Sequence, residues 1–77
     1  MLERRYKLDK EKTKGISAAY LAFPLDTKRH TIWAWLQGKN HIPETIFLKL
    51  MEATGRKPAE LLDQESLEYF ANASISY

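Results

Sequence analysis

Six backbone-breaking residues, Gly15, Pro24, Gly38, Pro43, Gly55 and Pro58, divide this chain into short pieces. Proline lacks an N–H and clashes inside a helix, while glycine enters the left-handed turn that ends one. Short pieces between such marks belong to a small helical domain with tight turns. The 77 residues suffice for one domain with a thin core. At 44% hydrophobic and 12% aromatic, the composition is that of a globular chain, not a disordered one. There is no cysteine, so disulfide staples and thiolate metal sites are excluded, and a reducing compartment fits. No apolar run approaches the ~20 residues of a membrane span. The start, MLERRYKLDKEK, is basic and lacks the apolar stretch of a secretory signal.

Charge is unevenly spread. Residues 1–42 carry nine basic and four acidic side chains; residues 43–77 carry three basic and six acidic ones. A basic half suits a polyanion, and an acidic half suits the side facing away from it. Solvated surface charge is the plainer alternative.

Ser17 is a good N-cap for Ala18, Ala19, Tyr20, Leu21 and Ala22, and Pro24 should end or kink that helix. Asp26 or Thr27 is expected to cap the next helix, over roughly residues 28–37. There Ile32, Trp35 and Leu36 form one apolar face, and Gly38 closes it. Pro43 suits the first position of a third helix carrying Ile46, Phe47, Leu50, Met51 and Ala53, ended by Gly55. Pro58 opens a last short helix with Leu61 and Leu62 turned inward. Ile32, Trp35, Phe47, Leu50 and Leu61 are expected to share one core. In RRYKL, Tyr6 and Leu8 have strand spacing. Residues 66–77 fit either a strand, by alternation, or a helix through Leu67, Phe70 and Ala71.

The register Ser17, Leu21-Ala22, Leu25, Ile32, Trp35, Gly38 resembles the helix-turn-helix of the phage repressor and Cro family. Downstream, Phe47, Leu50, Met51, Ala53, Gly55 and Glu60-Leu61-Leu62 fall in the same pattern, so the resemblance covers residues 17–62. It implies a mostly α, four-to-five-helix domain of the lambda-repressor-like type, with short strands allowed at the termini. It also implies sequence-specific binding of double-stranded DNA by a small cytoplasmic regulator of a bacterium or phage-infected cell. The turn departs from the family. Asp26 and Thr27 stand where glycine and a small apolar residue are usual, and Pro24 precedes them, which would widen it.

A helix fits the major groove with its first turn near base edges. On this reading Lys28, Arg29, His30, Trp33 and Ala34 face bases. Arg29 suits guanine, and Ala34 is small enough to touch a thymine methyl. Ser17, Ala18, Tyr20, Thr31, Gln37, Lys39, Asn40 and His41 are the candidate phosphate contacts. Each has a plainer alternative. Trp33 fits a core edge or protein contact, Arg29 a surface pair with Asp26, and Lys10, Lys12 and Lys14 a solvated stretch. His30 and His41 are too isolated for a zinc site. No nucleophile with an adjacent base, no phosphate-cradling glycine loop and no ligand cluster marks an enzyme, a cofactor site or a small-molecule substrate. The competing function is a helical protein-interaction module using Trp33 and its neighbours. One such domain makes few contacts, so a homodimer is expected, with residues 66–77 in the interface and ASISY pairing as a strand with RRYKL or a second copy.

Overall fold

Tyr6 shows how the two ends of the sequence are drawn together. It lies in β1 (Arg5–Tyr6), which pairs antiparallel with β2 (Ile42–Pro43), Tyr6 opposite Ile42 and Arg5 opposite Pro43. The structure, a computed structural model, describes residues 3–75. Around this two-stranded ribbon stand four α-helices: α1 (Ala18–Leu21), α2 (Arg29–Leu36), α3 (Glu44–Thr54) and α4 (Gln64–Ile75). A 3-10 turn, Pro58–Glu60, sits between α3 and α4. None of the helices among the described residues is long and apolar enough to cross a membrane.

The segment from Arg4 to Asp9 is a seam, and its backbone groups find partners on both sides. Glu44 donates its N–H to the Arg4 carbonyl at 2.8 Å, and Asp9 donates to the Leu61 carbonyl at 2.9 Å. Lys7 donates its N–H to Ser66 Oγ at 2.7 Å and accepts one from Asp63 at 3.1 Å. Strand spacing in RRYKL was therefore the right signal, and Tyr6 and Leu8 are both buried. The strand partner differs from the expected one. The first three residues of ASISY do not pair with RRYKL, because α4 runs helical through Ile75; Ser76 and Tyr77 lie outside the described residues. Leu67 and Phe70, one turn apart, both pack against the core, and burial on one helical face outweighs weak alternation.

Ile32, Trp35, Phe47, Leu50 and Leu61 lie in one buried cluster with Tyr6, Leu8, Leu21, Leu25, Leu36, Ile42 and Leu62. Tyr6 sits at the α3–α4 junction, its ring centroid 5.6 Å from that of Phe47 and 5.4 Å from that of Phe70. Its hydroxyl donates to Glu44 Oε2 at 2.7 Å. Burial and that carboxylate push the Tyr6 pKa above the usual tyrosine range.

Pro43 lies one residue earlier than expected, at the N-cap of α3 and not its first position. Gly55 ends α3 in the left-handed region, φ 69°. The turn at residues 10–15 is tied to α2 by Thr13 Oγ1, which donates to the Leu36 carbonyl at 2.8 Å. Lys12 is not a solvated charge. Its Nζ donates to the Leu62 carbonyl at 2.7 Å, and its own carbonyl accepts from Arg56 Nη1 at 3.0 Å.

Candidate nucleic-acid interface

Two short helices and the turn between them form the candidate site. Ser17 caps α1 as its sequence suggests, its hydroxyl accepting from the Tyr20 N–H at 3.2 Å. The chain then leaves α1 through a closed turn. Leu25 donates to the Leu21 carbonyl, Asp26 to Phe23 and Thr27 to Ala22, all within 3.0–3.1 Å. The last two are the paired bonds of a Schellman closure, which needs a left-handed residue at its corner. Asp26 is that residue, with φ 49°, the one non-glycine at positive φ among those described. A short polar side chain tolerates this region better than a branched one.

This overturns the expected cap. Neither Asp26 nor Thr27 caps α2; Asp26 makes the corner, and Thr27 Oγ1 donates to the Leu25 carbonyl at 2.9 Å. Lys28 occupies the N-cap, and it makes no side-chain capping bond because an ammonium has nothing to accept with. Pro24 is accommodated within this hydrogen-bonded corner, and residues 22–28 separate α1 from α2.

The far end of α2 repeats the device. Gly38 donates to the Trp35 carbonyl and Lys39 to Ala34, with Gly38 at φ 74°. Ile32, Trp35 and Leu36 are buried on the inner side. Lys28, Arg29, His30, Trp33 and Gln37 are exposed on the outer one, and Ala34, also a candidate base contact, is half-buried. Arg29 and Asp26 form no ion pair. The one ion pair among the described residues joins Lys14 to Glu11 at 3.1 Å, which leaves Lys28 and Arg29 unneutralised.

The phosphate candidates divide. Ser17, Tyr20, Gln37, Lys39, Asn40 and His41 are exposed; Thr31 and Ala18 are half-buried, and Ala18 packs against the core. An open cleft of about 340 Å³ beside Gln37 and Gly38 is lined by Lys7 and Lys10 together with Asp9 and Asp63. The N-terminal lysines thus stand beside the end of α2, a proximity with no trace in the linear pattern.

Trp33 is not part of the core cluster. The residue is 48% exposed, with Lys39 Nζ 4.9 Å from its ring centroid, a cation–π contact. Phe23, assigned no role from its sequence position, is 93% exposed, and Tyr20 is 70% exposed. The available signal was charge: the ten residues from Ile16 to Leu25 contain no ionisable group except the Tyr20 phenol.

No family model, curated protein or solved structure matches this chain.

Proposed function

We propose that this chain binds double-stranded DNA sequence-specifically through α1, the Asp26 corner and α2, as a small transcriptional regulator of the repressor or Cro-like kind. The observation that carries this reading is the outer surface of α2. It offers Lys28, Arg29, His30 and Gln37 to solvent, with the two cations unpaired among the described residues, on a helix held at both ends by a closed turn. Such a helix fits a major groove, and its free donors match base edges and phosphates. The lambda-repressor-like arrangement and the homodimer belong to the same proposal. Two copies on a pseudo-palindrome, about 34 Å apart, multiply contacts that one small domain cannot supply.

Selection of bound sites from random duplex DNA tests it. A defined motif should emerge with the intact chain, and Arg29→Ala should relax preference at one or two base pairs. Recovery of unenriched sequence would overturn the reading.

A second reading has its own observation. Exposed Tyr20, Phe23 and Trp33 suit a helical protein-interaction module. On that reading the chain would fail to retain duplex DNA at any salt concentration.

A further inference from the structure

Trp33 is an unusual residue for a polar helix surface. It stands between Arg29, one turn before it, and Gln37, one turn after, both exposed. Lys39, just past the end of α2, reaches back so that its Nζ lies 4.9 Å from the ring centroid. The ammonium is attracted to the π-face and favours this orientation of the ring. About half of the residue's surface stays open to solvent.

What an open indole can recognise in a groove is limited by its chemistry. It carries one N–H donor and no acceptor, so it cannot make the paired donor–acceptor contacts that distinguish base edges. The major groove holds one apolar feature, the C5-methyl of thymine. Removing indole and methyl surface from water together is favourable in proportion to the area covered. Ala34, the next residue on α2, is small and brings no competing polar group beside the ring.

We propose that Trp33, oriented by Lys39, reads the C5-methyl of a thymine, so that the preferred DNA site carries thymine beneath this ring. The inference rests on the DNA-binding reading above and adds a specificity determinant to it. It moves methyl recognition from Ala34 to its larger neighbour. Lys39 then acts twice, orienting the ring and placing a cation near the phosphates.

The probe is a duplex selected by the intact chain from random-sequence DNA, with each thymine replaced in turn by deoxyuridine. That change removes the methyl and leaves every hydrogen-bonding edge in place. Binding is followed by fluorescence anisotropy. At one thymine per half-site, replacement should weaken the intact protein roughly three- to fivefold, the effect of one buried methyl. The same replacement should leave Trp33→Ala unaffected, while Trp33→Phe keeps part of the sensitivity. Thermal melts of both variants should match the parent, since the ring lies outside the core. Equal affinity for thymine and deoxyuridine throughout would overturn the inference while leaving DNA binding intact. So would a deoxyuridine effect that persists in Trp33→Ala, or a selected site without thymine. Failure to select any duplex would overturn the DNA reading, and this inference with it.

Discussion

The Leu8 carbonyl oxygen stands 3.0 Å from the point where a Cβ on Gly38 would lie. The N-terminal seam and the end of α2 therefore meet where only a glycine fits, and Gly38 also has φ 74°. Both conditions act against a side chain. Gly38→Ala should lower stability by about 1–3 kcal/mol, read as a lower urea midpoint with an unchanged slope. A variant as stable as the parent would mean that the seam does not approach α2 this closely.

Asp26 makes the opposite case, a left-handed corner without glycine. Asp26→Gly should stabilise the chain by up to about 1 kcal/mol, the relief of αL strain less the added freedom of the unfolded chain. Asp26→Val, branched at Cβ, should destabilise it. Urea melts of the two variants should shift in opposite directions. Equal shifts would place the strain elsewhere.

Trp35 lies in the core under the outer surface of α2. Trp35→Ala should cost roughly 3–5 kcal/mol, enough to unfold so small a domain. Circular dichroism melts check this; a cooperative melt at the parent temperature would remove Trp35 from the core.

Tyr6 gives a pH dependence. Its pKa is raised in the folded state, so the unfolded chain releases the phenolic proton first as pH rises. The stabilisation is fully present below the ordinary tyrosine pKa of about 10 and is lost as pH climbs above it. Lysines also titrate there, so the comparison is with Tyr6→Phe. Between pH 9 and 11 the parent should lose more stability than the variant, measured by urea midpoints. Equal losses would contradict the burial of Tyr6 and its hydrogen bond to Glu44.

Much of this was legible in the sequence because it depends on neighbours along the chain. Ser17 as a cap, Gly38 and Gly55 as terminators, and the inward triplet Ile32, Trp35 and Leu36 all follow local rules. The pairing of Tyr6 with Ile42 was not legible, since a two-residue strand has no period and its partner is chosen by tertiary packing. Asp26 was misassigned because a short polar residue before a helix suits a cap and a left-handed corner equally well. Lys12 reads as surface charge until the Leu62 carbonyl, fifty residues away in sequence, is brought within 2.7 Å of it.

The most direct test of the central claim is the salt dependence of binding to the selected duplex, followed by anisotropy for the parent, Arg29→Ala and Lys39→Ala. Phosphate contacts release counterions, so log affinity should fall steeply and linearly with log salt concentration. Lys39→Ala should lower that slope by about one unit, while Arg29→Ala should leave most of the slope and change sequence preference. Affinity that ignores salt, or a duplex that never binds, would contradict the assignment of α2 as a DNA-reading helix.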